Sequence, residues 1–183
     1  MIFFCGDTHF NHPAIADIRS FNGAHGCIGF QSTKEHDEFL IYTWNSFVHK
    51  HDEVWHLGDF GFGTHDTIRS IRARLNGKIH LILGGHDIAN RLHSIRDCWT
   101  SIDQLKTIKI NHQKIVLCHW QMYVWDCSHY GTWMLYAHNH NTINPIGKQH
   151  NVCLDVNGFR LLSFMDIEDI MKTREDNHNL IKK

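Results

Sequence analysis

The feature that most constrains this chain is a recurrence: short apolar runs that each stop at a polar, chemically active group. Ile2 to Cys5 stops at Gly6-Asp7-Thr8-His9, Val54 to Leu57 at Gly58-Asp59, and Lys78 to Leu83 at Gly84-Gly85-His86-Asp87. Runs this short, mostly apolar and alternating with amphipathic stretches, read as strands, with Leu81 to Leu83 a buried one. Ser32-Thr33-Lys34-Glu35 predicts a capping box that opens a helix with Leu40, Trp44, Phe47 and Val48 facing inward and an end near Lys50. Ile68, Ile71 and Leu75 predict a second helix, closed at Asn76-Gly77. Downstream, Leu105 to Ile110 and Lys114 to Cys118 flank Asn111-His112 as a β-hairpin, and Trp133 to Ala137 and Val152 to Val156 read as strands. Ser163-Phe164-Met165-Asp166 starts a last helix, and the polar tail from about Thr173 is expected to fray. The order β, α, β, α, β and then mostly β predicts an α/β fold with a two-sheet β-sandwich core flanked by helices. A chain of 183 residues with 42% hydrophobic content suits one domain over its whole length.

Composition removes several function classes. The formal net charge of −1 gives no sign of an electropositive face, so no strong nucleic-acid-binding signal is present. A small phosphoester or nucleotide-type substrate stays open, because a metal can supply positive charge locally. The 6 cysteines contain no Cys-x-x-Cys, which argues against a zinc ribbon or a disulfide framework and for reduced, mostly buried thiols. No apolar stretch approaches the roughly 20 residues of a membrane span, and the opening run is too short for a signal peptide; a cytoplasmic protein is the expectation. The 18 histidines point to metal or proton chemistry only if their positions agree.

Their positions do agree. Asp7 and His9, Asp59, His86 and Asp87, His119, and His138 and His140 all lie just past the carboxyl end of an apolar run, where open α/β sheets place ligands. Asp7 and His9, like His138 and His140, are two apart, so in extended backbone each pair points to one side. Aspartate and imidazole together suit Mn²⁺, Zn²⁺ or Fe²⁺. One zinc takes about four ligands, and this surplus argues for two ions. For Gly84-Gly85-His86-Asp87 taken alone, the plainer reading is a tight turn whose polar pair caps the next helix.

The series Asp7-x-His9, Gly58-Asp59, Gly84-x-His86-Asp87, His119 and His138-x-His140 resembles the signature of the calcineurin-like metallophosphoesterases, in the same order and over residues 2 to about 164. The stretches DTHFNH, VWHLGDF, CHWQMYVWDCSHYGTWMLYAHNH and LDVNGFRLLS are similar, more narrowly, to the compact stand-alone phosphoesterases of bacteria and phages. The resemblance implies the metallophosphoesterase fold and a dinuclear-metal-dependent phosphoester hydrolase, a phosphodiesterase or a phosphatase. It implies two divalent ions, Mn²⁺ first and Zn²⁺, Fe²⁺ or Ni²⁺ as alternatives. It gives Asp7, His9 and His140 to the first ion, Asp59 to both, and His119 and His138 to the second, with a metal-bridging hydroxide as nucleophile. It further makes His86 the residue that contacts the phosphate and protonates the leaving alkoxide, with Asp87 holding the imidazole.

Two positions depart from the family. Gly85 stands where the family has an Asn that ligates the second ion, which predicts a weaker second site and slower turnover. It also raises an alternative: a catalytically impaired relative that binds metal and a phosphorylated ligand. Ala137 replaces the glycine before the histidine pair, tolerable unless its φ is positive. Among the other polar and aromatic residues, Arg91 sits one helical turn past Asp87 and either reaches a second phosphate or is a plain surface arginine. Tyr123, with Trp120, Trp125 and Tyr130, either walls a nucleobase or packs a loop on the sheet. His56 either orients a ligand or sits in the core, and most remaining histidines, including His36, His49, His65 and His93, are expected on a solvated surface.

Overall fold

In the computed structural model, which describes residues 1–21 and 29–181, the three opening apolar runs become parallel neighbours. The elements in chain order are β1 (Ile2–Cys5), α1 (Pro13–Phe21), α2 (Thr33–Phe47), β2 (Glu53–His56), α3 (His65–Arg72), β3 (Lys78–Ile82) and α4 (Gly85–Ala89). Then follow β4 (Ser101–Asp103), β5 (Leu105–Ile110), β6 (Gln113–Cys118), β7 (Trp133–Tyr136), β8 (Gln149–Asn151), β9 (Leu162–Ser163) and α5 (Phe164–Thr173). Among the described residues they form one sheet ordered β4-β3-β2-β1-β9 and another ordered β5-β6-β7-β8. This is the expected α/β class, two sheets with flanking helices.

Side-chain alternation explains the layers. In the first sheet Phe3, Cys5, Val54, Ile79 and Leu81 pack against Leu40, Trp44 and Val48 at α2 and Ile68 and Ile71 of α3. Their neighbours Phe4, Trp55, Leu57 and Ile82 point the other way, into a core shared with Ile115, Leu117 and Leu135 of the second sheet and Ile167 and Met171 of α5. Both faces of the first sheet are thus largely buried, which is why its strands read as mostly apolar runs. The outer face of the second sheet is covered by a loop that seats Trp125 on Val116, Met134 and Tyr136.

Local signals set most boundaries. Ser32 caps α2 by accepting from Glu35 N at 3.1 Å, while the Glu35 carboxylate reaches Gln31 N instead of closing the box on Ser32; such a cap contributes about 1 kcal/mol. Ser163 and Asp166 form a full capping box on α5. The strand expected over Val152–Val156 is displaced: β8 ends at Asn151, and Leu154–Val156 is a 3-10 turn. Asparagine side chains take the place of a ladder there, since Asn151 Oδ1 accepts from Cys153 N at 2.9 Å and Asn157 Nδ2 donates to the carbonyls of Asn151 and Cys153. The tail expected to fray is tied down, with buried Asn177 donating to Ser128 O and Thr132 O. Cys5, Cys98, Cys118 and Cys153 are buried free thiols and Cys127 is half-buried; Cys27 lies outside the described residues. No helix of the described residues is long and apolar enough to cross a membrane.

Candidate metal centre

The loops that follow β1 and β2 continue the parallel ladder beyond the strands: Asp7 N donates to Gly58 O at 2.9 Å and His9 N to Asp59 O at 3.0 Å. The backbone is not extended, as the two-residue spacing assumed. Asp7, His9, Asp59, His138 and His140 have φ of 54°, 48°, 55°, 73° and 43°, all in the left-handed region. Non-glycine residues there are uncommon and cost of order 1–3 kcal/mol each. The side chains therefore converge because each loop is bent sharply at the ligand-type residue itself. Close packing of the loops requires glycine at two points. A Cβ on Gly58, whose φ is +93°, would lie 2.6 Å from Gly84 N and 2.7 Å from His119 Nδ1, and one on Gly84 would collide with Asp59 Oδ1.

The side chains meet in linked sets: Asp7, His9 and His140; His9, Asp59 and His86; and Asp59, His119 and His138, each offering ligand atoms within 4.8 Å of one another. His9 Nε2 is 3.3 Å and His140 Nε2 3.8 Å from Asp7 Oδ1. His119 Nε2 is 3.5 Å from Asp59 Oδ2, and its Nδ1 is held by Leu57 O at 2.7 Å. Asp7 Oδ1 and both ring nitrogens of His9 are buried without a hydrogen-bond partner. An unmatched buried polar group costs about 1–3 kcal/mol, so this donor set fits a divalent cation better than it fits itself.

The electrostatics agree with that fit. Burial opposes ionisation of Asp7, yet His9 beside it and the charges of His119 and His140 hold its carboxyl well below the usual carboxylate range. Burial likewise works against Asp59, and His119 outweighs it and lowers the carboxyl. His119 and His140 are raised against the pull of burial, by Asp59 and Asp155 respectively, whereas burial lowers His9 and His138. A cation held here would require His119 and His140 neutral and so would compete with protons for them.

No family model matches the sequence. A stretch of 87 residues is 34% identical to the Gene 66 protein of Mycobacterium phage L5, covering 46% of this chain and 38% of that protein. The chain therefore matches well under half of that relative's length. Among solved structures, a protein of unknown function from Aquifex aeolicus superposes with a TM-score of 0.67 at 20% identity, covering 93% of this chain and 98% of the other. That likeness establishes a shared fold. A novel archaeal phosphodiesterase aligns with a TM-score of 0.46 at 17% identity over 83% of this chain and 81% of its own. A predicted phosphoesterase from Streptococcus pneumoniae aligns at 0.39 and 14% identity, over 83% and 70%.

His86 joins one of the linked sets and Asp87 belongs to none of them. His86 is half-exposed, with Nε2 3.8 Å from Asp59 Oδ2 and its ring beside His9, His12 and Phe62. Asp87 does not hold the His86 imidazole. Its carboxylate is fully buried and accepts from the backbone N–H of Asp59, Phe60 and Gly84 at 2.7, 2.9 and 2.9 Å, so it caps α4 and locks the β2 loop. Burial pushes Asp87 up to about 6 despite these donors. Gly85 faces open space, with nothing within 4 Å of where a Cβ would stand. Ala137 avoids positive φ, and its Cβ sits where a side chain on Gly6 would otherwise go.

Other expected residues separate. Arg91 is exposed, in left-handed backbone beyond α4, and outside the linked sets. Tyr123 is exposed and packs on His178, Trp125 is core, and Trp120 is the aromatic that stands beside His119 and His138. His56 is a buried connector: it accepts from Gly58 N on Nδ1 and so donates from Nε2 to Thr8 Oγ1, and burial lowers it to about 3. His36 is not on the surface. It is fully buried, accepting from Arg19 at 2.8 Å and donating to Asp37. Arg19, which the sequence did not single out, is a buried guanidinium that donates to the carbonyls of Asp7 and Thr8 and so braces the first ligand loop. Cys153 and Asp155 were also missed as individuals, although the LDVNGFRLLS stretch contains Asp155 and begins directly after Cys153.

Proposed function

We propose that this chain is a metal-dependent phosphoester hydrolase acting on a small phosphoester or nucleotide-type substrate at a dinuclear centre. The observation that carries the reading is the adjacency of two ligand sets, Asp7-His9-His140 and Asp59-His119-His138, joined through the His9-Asp59-His86 group. In this reading Asp7, His9 and His140 hold one divalent ion, His119 and His138 the other, and Asp59 serves both, with Mn²⁺ the first candidate and Zn²⁺, Fe²⁺ or Ni²⁺ next. Bound ions would supply Lewis acidity toward phosphate oxygens and lower the pKa of coordinated water.

The chain's own groups do the rest. Buried Asp7 and Asp59 carry the negative charge that keeps cations in place, and the tight Gly58-Gly84 packing prevents the ligand loops from spreading. His86, half-exposed and beside Asp59, is the residue that contacts the phosphate and protonates the leaving alkoxide in this reading. Trp120 stands beside His119 and His138 of the second set.

The test is hydrolysis of a chromogenic phosphodiester and the matching monoester by Mn²⁺-loaded protein, with Asp59→Ala in parallel. Turnover of either substrate, lost in the variant, is expected; turnover that survives Asp59→Ala refutes the assignment. Gly85 favours a second reading, a metal-binding but silent relative that retains a phosphorylated ligand. Phosphate binding without turnover at saturating Mn²⁺ selects it.

A further inference from the structure

The first metal-type set draws its members from distant parts of the chain, Asp7 after β1 and His140 after β7, and both are gripped by one short turn. Asp155 Oδ2 lies 2.6 Å from His140 Nδ1. An imidazole that donates from Nδ1 presents the lone pair of Nε2, and His140 Nε2 is the atom that faces Asp7 Oδ1. Two residues earlier, Cys153 Sγ donates to Asp7 Oδ2 at 2.8 Å, and His138 N donates to the same oxygen at 2.9 Å. Asp7 is therefore fixed through Oδ2, and Oδ1, the oxygen without a hydrogen bond, is the one left for a ligand.

The turn is itself rigidly placed. Leu154 N donates to Gly6 O, Gly6 bridges Cys153, and the two Asn157 donors close the turn from behind. The second set, Asp59, His119 and His138, receives no side-chain hydrogen bond from this turn.

We propose that the Cys153–Asp155 turn is the outer clamp of the first metal site, with Asp155 the positioning residue for His140 and Cys153 the positioning residue for Asp7. The inference rests on the metal-dependent reading above. It assigns the turn no contact with the ion, although His140, Cys153 and Asp155 also offer atoms within 4.8 Å of one another.

The experiment is Mn²⁺ titration calorimetry on the full chain, with melting of the metal-free protein alongside. His119→Ala identifies the second-site event by removing it. Asp155→Ala is expected to weaken the first-site event by roughly 10- to 100-fold and to leave the second within about threefold. Asp155→Asn, which keeps an acceptor and the side-chain shape, should fall between Asp155→Ala and wild type. Cys153→Ala should weaken the first-site event, and Cys153→Ser, which keeps a donor, should recover much of it. Equal weakening of both events, in step with a lowered metal-free melting temperature, would show a merely structural turn and overturn the proposal. So would a first-site event that neither Asp155 variant moves. Cd²⁺-loaded protein separates the remaining alternative: an ultraviolet thiolate-to-metal band present in wild type and absent in Cys153→Ser would make Cys153 a ligand and not a clamp. Wild-type protein that takes up no divalent ion fails the dinuclear reading itself, a result distinct from intact uptake that ignores the turn.

Discussion

Gly85→Asn is the perturbation for which the structure supplies the most constraint. Gly85 is the first residue of α4, its φ is not in the left-handed region, and nothing lies within 4 Å of a Cβ built there. The substitution thus meets neither strain nor a clash, and the loss of glycine's unfolded-state freedom alters stability by no more than about 1 kcal/mol. The new amide arrives one residue before His86, whose backbone N donates at 2.9 Å to Oδ1 of Asp59, a member of the set with His119 and His138. If a missing amide oxygen is what weakens the second site, its return should recover roughly 1.4 to 4 kcal/mol of transition-state stabilisation, a rise in turnover of about ten- to a thousand-fold. The assay is initial rate on a chromogenic phosphodiester and monoester across a Mn²⁺ titration, with calorimetry to follow the looser binding event. In that background His86→Ala should cost most with poor leaving groups, because a proton donor matters little when the alkoxide departs easily. A Gly85→Asn protein that melts like wild type but changes neither metal affinity nor rate on any phosphoester would refute the reasoning and favour the silent binder.

Other consequences are as direct. Asp59→Ala should abolish both metal-binding events in calorimetry and lower turnover by at least about a thousand-fold, since Asp59 belongs to two of the linked sets; a variant that keeps either event at full affinity contradicts the shared role. Gly58→Ala, forced to φ +93° against Gly84 N and His119 Nδ1, should cost about 3 kcal/mol or more in urea unfolding, and an unchanged midpoint would show that the loops can spread. His150 gives a pH signature: Arg174 donates to Nδ1, Nε2 donates to Asn157, and burial pushes it down to about 4. Because its folded value lies below the ordinary value near 6.5, its contribution is whole above about pH 6.5 and is lost as the pH falls toward 4, at most roughly 3 kcal/mol. Metal-free His150→Gln should therefore lose less stability than wild type between about pH 7 and pH 4; parallel acid slopes would remove the argument. Arg19→Met should reduce Mn²⁺ affinity as well as stability, because the guanidinium holds the Asp7 and Thr8 carbonyls; loss of stability alone would make it a core brace only.

What the sequence determined by itself was the set of strand-end residues and the layering that brings them to one edge. Residues that alternate along β1, β2 and β3 between two apolar neighbourhoods, and loops that carry Asp and His at each carboxyl end, are local patterns, and local patterns survive into the fold. Ser32 and Ser163 marked helix starts for the same reason, since caps act within a few residues of their own position, whereas α3 ends at Arg72 with a right-handed cap at Ala73, short of the stop expected at Asn76-Gly77. The tertiary structure alone decided how those ligand-type residues are aimed. The left-handed φ at Asp7, His9, Asp59, His138 and His140 follows from packing one loop against the next, which no spacing rule encodes. It also reassigned partners: Asp87 turned from the imidazole to the backbone of the neighbouring loop, His36 went inside to meet Arg19, and Leu154–Val156 left the sheet for a turn. Each of these depends on contacts between segments remote in sequence. A buried polar group takes whichever partner the assembled core leaves beside it, and that partner is fixed only once the sheets and loops are in place.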